Sequence, residues 1–342
     1  MEQIYILAIE SSCDDTSAAI LCNNNVLSNC IASQQIHEKY GGVVPELASR
    51  AHQQNIVPVV TEALRLANIT HEKINAIAFT RGPGLLGSLL VGISFAKALS
   101  MSLNIPLIEV NHMQAHILAH LINQNSDGSN NANPSFPFLC LTVSGGHTQI
   151  VLVRSENDFE LVGETNDDAA GEAFDKSAKI LGLPYPGGPL IDKYSKDGNP
   201  IKYKFPKPAA KDFDFSFSGL KTSFLNFISK NVAQNPSFIH DELPHICASI
   251  QHTIVDYTTE KLLYAASQYN IKNIAIAGGV SANTYLRKYL QEKCDEQKLK
   301  LFIPRFEYCT DNAAMIGIVG YFKYLNQDFC GLDVLPLSRF AI

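Results

Sequence analysis

The sequence of 342 residues has no tryptophan, no CxxC pair and no excess of positive charge. Its eight cysteines are too scattered for a zinc knuckle or a disulfide framework, so reduced thiols are expected. The formal charge of −6 gives no global sign of nucleic-acid binding, although a local basic patch remains compatible with it. With 46% hydrophobic and 18% charged residues, the composition is that of a globular protein with a sizeable core.

Signals for export and for membrane insertion are also missing. The start, MEQIYILAIESS, has no basic segment ahead of its apolar residues. The longest uncharged apolar stretch, residues 82–96, is rich in glycine and falls short of the ~20 residues that cross a bilayer. We therefore expect a buried helix there and a cytoplasmic protein with no membrane partner.

The P-loop signature GxxxxGK[ST] is absent, and no turn is interpreted as a dinucleotide-binding fingerprint, although GPGLLG at residues 82–87 has the GxGxxG spacing. The chain has instead four polar or glycine-rich turns: ESSCDDTS, RGPGLLGS, VSGGHT and AGGVSAN. Backbone N–H groups at such turns, and at the helix N-termini that follow them, bind phosphate well. A lone turn of this kind is usually only a turn, but their symmetric placement in two halves of the chain favours a bound nucleotide.

These turns belong to one plan that occurs twice. Apolar strands around the turns predict hairpins near residues 4–23 and 137–154, and DFELVGET predicts a further strand. After each hairpin, an apolar strand enters a helix across glycines, at 74–99 and at 271–290. The repeat predicts an α/β fold with two duplicated lobes around a central nucleotide cleft.

The lobe boundaries follow from composition. Residues 123–137, NQNSDGSNNANPSFP, predict an exposed linker or insertion loop. We expect an N-terminal lobe of residues 1–122, joined by the last helix from about 311, and a C-terminal lobe of residues 138–310.

The segment NHMQAHILAH holds three histidines, His112, His116 and His120, spaced four residues apart. On one helix, the first and the last lie ~12 Å apart, so one metal ion can join only neighbours. We predict His112 and His116 as the ligand pair, with His120 capping or packing. Asp311, just before an apolar helical run, offers a third ligand, and this donor set suits Fe(II) or Zn(II). The alternative is a metal-free helix with partly exposed histidines.

Nine segments carry a specific resemblance: ESSCDDTSAAI, SQQIHEKYGGVVPELASRAH, RGPGLLGSLLVG, VNHMQAH, VSGGHTQI, DDAAGEAFDKSAKILGLPYPGGP, FSFSGLKTSF, AGGVSAN and CTDNAAMIG. In this order they resemble the TsaD (YgjD or Gcp) family, the tRNA N6-adenosine threonylcarbamoyltransferases of bacteria. The resemblance implies the actin–hexokinase (ASKHA) fold. It also implies transfer of threonylcarbamoyl from threonylcarbamoyl-AMP to N6 of the adenosine beside the anticodon of ANN-decoding tRNAs, with release of AMP.

The matching motifs imply roles for particular residues. His112, His116 and Asp311 are implied as ligands of one divalent metal per subunit, and the metal is expected to polarise the donor carbonyl. Asp14 and Asp15 fit the family's DDT pattern, and they orient the substrate, accept the N6 proton or cap the turn. The residues implied to bind threonylcarbamoyl-AMP, and ATP or ADP, are Thr142, Val143, Ser144, Gly145, Gly146, Asp175, Gly188, Asp192 and Asn283.

The resemblance also implies partners. These are tRNA, the paralogue TsaB as a heterodimer partner, the ATPase TsaE, and TsaC as the source of threonylcarbamoyl-AMP. A stretch of lysines among phenylalanines, residues 202–221, suits contact with the tRNA backbone. The alternative interpretation is a solvated loop over the edge of the core.

Three rival functions make different demands on the sequence. A metallopeptidase of the HExxH type needs glutamate after the first histidine, where Met113 stands. A kinase on the same fold needs an aspartate base and Mg²⁺ rather than two histidines. A non-catalytic assembly subunit such as TsaB would lack both the HxxxH motif and Asp311.

Overall fold

Both predicted hairpins form, and each belongs to a five-stranded sheet. The computed structural model describes residues 3–123 and 133–342, so most of the predicted linker lies outside the described residues. The chain divides into two units: unit 1 is Met1–Asn133 with Pro304–Ile342, and unit 2 is Pro134–Ile303.

The helices include the two that are predicted after glycine-linked strands, which begin at Leu86 and Thr284. In the described part of the chain they are α1 Pro45–Ala67, α2 Leu86–Leu103, α3 His112–Leu118, α4 Ala170–Ile180, α5 Gly187–Tyr194, α6 Ser218–Gln234, α7 Phe238–Tyr269, α8 Thr284–Glu296 and α9 Ala313–Leu325.

The sheet of unit 1 is formed by β1 Tyr5–Glu10, β2 Thr16–Cys22, β3 Asn25–Ala32, β4 Ala76–Gly82 and β5 Leu107–Asn111. Its order is β3-β2-β1-β4-β5, with antiparallel pairs in the β1–β2–β3 meander and parallel pairs from β1 through β4 to β5. The central strands are almost entirely buried, as expected for a sheet covered on both faces.

Helix α9 returns from the end of the chain to cover this sheet. It can lie close to the strands because two of its residues facing them are glycines. A Cβ atom at Gly317 would lie 2.2 Å from Leu21 Cδ1, and one at Gly320 would lie 2.5 Å from Ala78 Cβ. The residue just ahead of this helix, Asn312, is therefore fixed relative to the sheet, and so is Asp311 before it.

Helix α2 is buried on one face only. Leu89 and Ile93 lie in the core, whereas Leu86 and Met101 are more than half exposed. By length and composition alone, α2 is the one helix among the described residues that is apolar enough to cross a membrane, with 33% of it buried. The predicted buried helix is thus correct for its inner face and wrong for its outer face.

Unit 2 repeats the topology of unit 1. Its strands are β6 Phe138–Val143, β7 Thr148–Ser155, β8 Asp158–Glu164, β9 Asn273–Ala277 and β10 Lys300–Phe302. Read from the meander edge, the order β8-β7-β6-β9-β10 matches β3-β2-β1-β4-β5, with antiparallel and parallel pairs in the same places. The predicted duplicated α/β fold is confirmed.

In the lysine–phenylalanine stretch, residues 202–221, three of the four phenylalanines are buried and the fourth, Phe213, is partly buried. Phe215 and Phe217 are fully buried and pack against Tyr257. Lys207 forms ion pairs with Asp256 and Glu260 on α7. Burial of large apolar rings outweighs any gain from exposing them for stacking. The buried phenylalanines agree with the alternative of a loop over the core edge, and contact of the exposed lysines with the tRNA backbone stays a prediction.

Candidate functional site

Helix α3 carries the predicted ligand pair of unit 1 and begins directly at the end of β5. Asn111 caps it, because its side-chain Oδ1 accepts hydrogen bonds from the backbone N–H groups of Met113 (2.9 Å) and Gln114 (3.2 Å). His112 is thus the first helical residue, and His116 lies one turn later on the same face. The α-helix ends at Leu118, so the buried His120 belongs to a separate 3-10 turn.

The structure brings Asp311 to both histidines. Its Oδ1 lies 3.2 Å from His116 Nε2 and 3.3 Å from His112 Nε2. The two imidazole rings are perpendicular, with centroids 4.7 Å apart. Both rings are buried, while the Asp311 side chain is 28% exposed. Among the described residues, these three form the only group of histidine, cysteine or carboxylate side chains placed to share a metal ion.

The sequence interpretation missed a fourth member of this cluster, Glu10. This carboxylate ends β1, is fully buried, and lies 3.0 Å from Nδ1 of His112. The available signal was a charged residue closing an otherwise apolar strand, IYILAIE, because a buried charge needs a partner. The contact joins residues 102 positions apart, and that distance along the chain hides it from local pattern analysis.

The cluster alternates acidic and basic groups. Burial disfavours the charged form of His112, but the carboxylates of Glu10 and Asp311 on either side of it outweigh burial and raise its pKa well above the ordinary value. Burial likewise opposes ionisation of Asp311, yet the attraction of His112 lowers its pKa. For His116, burial dominates and lowers the pKa. A positive charge between these carboxylates is therefore stabilised.

The donor set fits a divalent cation. The Nε2 atoms of His112 and His116 converge on one carboxylate oxygen, the combination that zinc and iron sites use. Hydrogen bonding within the protein does not explain the position of His116 fully, because its buried Nδ1 has no hydrogen-bond partner in the described part of the chain. The role of these residues as metal ligands stays a prediction.

Asp14 and Asp15 lie in the β1–β2 turn of the same unit. The carbonyl oxygen of Cys13 accepts hydrogen bonds from His52 Nε2 and Ser88 Oγ, both at 3.0 Å, which fixes the backbone beside them. Burial raises the pKa of Asp15 to about 6, and the charges of Asp14, Asp311 and Glu10 act in the same direction. A carboxyl group with this pKa exchanges a proton near neutral pH.

In unit 2, Thr142 and Val143 are the buried last residues of β6, and residues 144–147 form the loop that connects β6 to β7. The Ser144 N–H donates to the His147 carbonyl (2.8 Å), and Ser144 Oγ accepts from the His147 N–H (3.0 Å). A Cβ atom at Gly145 or Gly146 would meet no atom within 4 Å, so the protein leaves space beside this loop. The first turn of α4 packs against the same loop, which adds the positive end of a helix dipole.

The other predicted nucleotide contacts hold helix N-termini in place. Asp175 accepts hydrogen bonds from the backbone N–H groups of Gly187 (2.8 Å) and Gly188 (3.1 Å) at the start of α5. Burial raises the pKa of Asp175, and these two bonds oppose that shift. Asp192 accepts from the N–H of Thr284 (3.1 Å), and Asn283 caps α8 through the N–H of Leu286 (2.8 Å). Their roles as nucleotide contacts stay predictions.

The sequence matches one protein family over most of its length. The model of the TsaD family, described as tRNA N6-adenosine threonylcarbamoyltransferase, matches residues 25–318. A protein of that name from Christiangramia forsetii is 60% identical, and the match covers 99% of this chain and 98% of the relative. Another from Porphyromonas gingivalis is 57% identical, and the match covers 100% of this chain and 99% of the relative.

Solved structures with the same fold are much more distant in sequence. Full-length HypF in its phosphate- and nucleotide-bound form gives a TM-score of 0.60 at 14% identity, with 94% of this chain and 46% of that chain covered. Component A of the (R)-2-hydroxyglutaryl-CoA dehydratase of Acidaminococcus fermentans gives a TM-score of 0.54 at 14% identity, with 94% and 99% covered. At this identity the likeness concerns the fold alone, which is of the ASKHA type.

Proposed function

Because the chain belongs to the TsaD family of tRNA N6-adenosine threonylcarbamoyltransferases, we propose that His112, His116 and Asp311 hold one divalent cation, Fe(II) or Zn(II), for that reaction. The activity itself follows from the family: a threonylcarbamoyl group is transferred to N6 of an adenosine in tRNA. The observation that supports the metal site is the convergence of two imidazole Nε2 atoms on one carboxylate oxygen, at 3.2 and 3.3 Å.

The chemistry requires an activated donor, since the N6 lone pair is delocalised into the adenine ring and attacks weakly. Threonylcarbamoyl-AMP is such a donor, because AMP is a good leaving group. A bond forms between N6 and the carbamoyl carbon, and the bond from that carbon to the phosphate oxygen breaks, with its electron pair leaving on AMP. When bound, a divalent cation supplies Lewis acidity that polarises a carbonyl. The chain contributes two imidazole donors and one carboxylate, which leave coordination positions open.

The transfer also releases a proton from N6, and we assign its acceptance to Asp15. Efficient general bases have pKa values near the working pH. The pKa of Asp15, raised by burial to about 6, meets that condition. Asp14, next to it in the turn, is assigned to substrate orientation.

Residues of unit 2 are assigned to the AMP part of the donor, and to ATP or ADP. The segment Thr142–Gly146, with open space at its two glycines, and the N-terminus of α4 suit a phosphate group. Asp175 and Asn283 fix the neighbouring helix starts, and with Gly188 and Asp192 they complete the proposed binding set.

The partner assignments beyond tRNA rest on the family resemblance. We assign TsaB as heterodimer partner, TsaE as the associated ATPase and TsaC as the enzyme that makes threonylcarbamoyl-AMP, in the cytoplasm. The two units of the structure are taken as the two lobes predicted from the repeats.

The metallopeptidase alternative gains no support from the site. Met113, which occupies the position of the HExxH glutamate, is buried at 2% exposure. The carboxylate nearest to His112 on the strand side, Glu10, is fully buried and hydrogen-bonded. It is therefore not available to activate a water molecule for peptide hydrolysis.

Reconstitution with a matched pair of variants tests the proposal. The protein is incubated with TsaB, TsaE, TsaC, unmodified tRNA, ATP, threonine and bicarbonate, and the digested tRNA is analysed by mass spectrometry for threonylcarbamoyladenosine. We expect His112→Ala to lose both bound metal and product. The control, His120→Ala, removes a buried histidine of the next turn and is expected to keep both. Full transfer by a variant shown to be metal-free would refute the metal assignment.

A further inference from the structure

We infer that Glu10 is a positioning residue that fixes the His112 ring with its proton on Nδ1, so that Nε2 is the atom offered to the metal. The inference rests on the proposed metal centre and adds a residue that does not touch the ion itself. It concerns the geometry of the site before any substrate binds.

Glu10 is held rigidly from two sides. Its Oε1 accepts a hydrogen bond from the N–H of Ser12 (2.5 Å), and its Oε2 accepts one from the Thr80 hydroxyl on the adjacent strand β4 (2.5 Å). Its side chain is completely buried at the end of the central strand β1. A buried carboxylate is tolerated only with such partners.

The His112 ring is the third partner of this carboxylate, with Nδ1 3.0 Å from Oε2 of Glu10. An ionised carboxylate only accepts hydrogen bonds, so Nδ1 must donate and carry the proton. In the neutral ring Nε2 then has its lone pair free, and that atom faces Asp311 at 3.3 Å. Hydrogen bonding of the far nitrogen to a carboxylate is how proteins orient histidine ligands and raise their basicity.

The two histidines therefore differ in how they are held. His112 has a fixed carboxylate behind it, whereas the buried Nδ1 of His116 has no hydrogen-bond partner among the residues described. Helix α3 sets the position of both, but only His112 has its tautomer imposed by a neighbouring strand. Loss of Glu10 should therefore weaken metal binding without removing a ligand.

The first test measures metal affinity on the full chain, without tRNA or partner proteins. Zn(II) is titrated against a competing chelator for wild type, Glu10→Gln and Thr80→Val. We expect Glu10→Gln to raise the dissociation constant about 10–100-fold, the range found when such outer carboxylates are removed. Thr80→Val is the matched control: it removes one hydrogen bond to the same oxygen but keeps the charge and the His112 contact. Its dissociation constant should change less than about 3-fold.

The second test does not depend on a variant that folds. Long-range ¹H–¹⁵N NMR of the zinc-loaded wild-type chain reports which nitrogen of His112 carries the proton. A protonated Nδ1 is expected, and a protonated Nε2 with metal on Nδ1 would overturn the inference.

The outcomes separate this inference from the metal centre. Equal zinc affinity of wild type and a folded Glu10→Gln overturns the role of Glu10 and leaves the centre intact. If wild type binds zinc no more tightly than His112→Ala does, the proposed metal centre itself is refuted.

Discussion

The two units share one strand order yet place opposite chemistry at equivalent turns. In unit 1, Glu10 ends the first strand and the turn after it carries Asp14 and Asp15, and the structure adds Asp311 to these carboxylates. In unit 2 the equivalent turn is Ser144–Gly145–Gly146–His147, which has no carboxylate and open space at its glycines. A cluster of carboxylates favours a cation, and open backbone with a helix N-terminus favours an anion.

The comparison shows that the two copies of one fold present different functional groups. The functional groups of unit 1 are side chains, and a neighbouring group orients them, as the Glu10 carboxylate orients the His112 ring through a hydrogen bond. The functional groups of unit 2 are backbone N–H groups. Its carboxylates accept hydrogen bonds from the first residues of helices, as Asp175 does from Gly187. Substitutions of the side chains in unit 1 should therefore affect metal binding and activity. Those in unit 2 should affect stability at positions where neighbouring backbone leaves no room for a Cβ atom.

The largest effect is expected at the metal carboxylate. Asp311→Ala should lower transfer about 10³-fold and abolish stoichiometric metal binding, because Lewis-acid stabilisation is worth several kcal/mol. Steady-state kinetics and elemental analysis of the purified chain measure the two quantities. Asp328→Ala removes an exposed carboxylate of the same unit, paired with Lys323, and should change neither. Normal metal content in Asp311→Ala would contradict the assignment of a cation site to unit 1, on which the contrast with unit 2 depends.

A close approach of backbone in unit 2 gives the next effect. Gly278 has φ +84°, and a Cβ atom there would lie 2.4 Å from the Val143 carbonyl oxygen. Gly278→Ala should lower the free energy of unfolding by about 3 kcal/mol, from left-handed backbone strain and overpacking together. Gly145→Ala, with open space around it, should change it by less than about 0.5 kcal/mol while weakening AMP binding. Urea unfolding measures the stability of each variant, and calorimetric titration measures AMP binding. Equal losses of stability in Gly278→Ala and Gly145→Ala would contradict the account.

A pH profile sharpens the role of the acidic turn. With its pKa at about 6, Asp15 is ionised above that pH, so kcat/KM of wild type should rise through about pH 6 and then level off. Asp15→Asn should lose this inflection and about 100-fold in rate at pH 7.5. The raised pKa also means that the ionised form destabilises the folded chain, and this cost appears as pH rises from the unfolded pKa to about 6. Asp15→Asn should therefore unfold at higher temperature at pH 7.5. An unchanged inflection in the variant would exclude Asp15 as the base.

The smallest effect is expected where a unit 2 carboxylate fixes a helix start. Asp175→Ala leaves the N–H groups of Gly187 and Gly188 without their acceptor, and should cost about 1 kcal/mol of unfolding free energy. Asp175→Asn keeps an acceptor oxygen and should recover most of this loss. If the two variants are equally stable, the hydrogen bonds seen here are not what makes Asp175 matter.

Local patterns predicted much of the fold and part of the site. Apolar runs interrupted by polar or glycine turns predicted both hairpins and both strand–helix segments, because strand burial and turn chemistry act over a few residues. The i, i+4 spacing of His112 and His116 likewise fixed their common face. Their meeting with Asp311 follows from the close packing of α9 on the sheet through Gly317 and Gly320.

The features that escaped prediction depend on contacts between distant segments. Glu10 looks like the polar end of a strand until β5 and α3 place His112 beside it. The phenylalanines near Lys207 looked like a surface pattern because their partner, Tyr257, lies about 40 residues further on. The end of the α-helix at Leu118, which separates His120 from the pair, has no glycine or proline to mark it.

The central claim is that one ion is shared by two histidines of α3 and the carboxylate ahead of α9. Anomalous diffraction at the zinc edge, from crystals of the zinc-loaded full chain, tests it most directly. The account predicts one strong peak about 2.0–2.2 Å from Nε2 of His112, Nε2 of His116 and a carboxylate oxygen of Asp311. A peak coordinated by cysteine sulfur, or no peak beside these residues at full zinc loading, would contradict it.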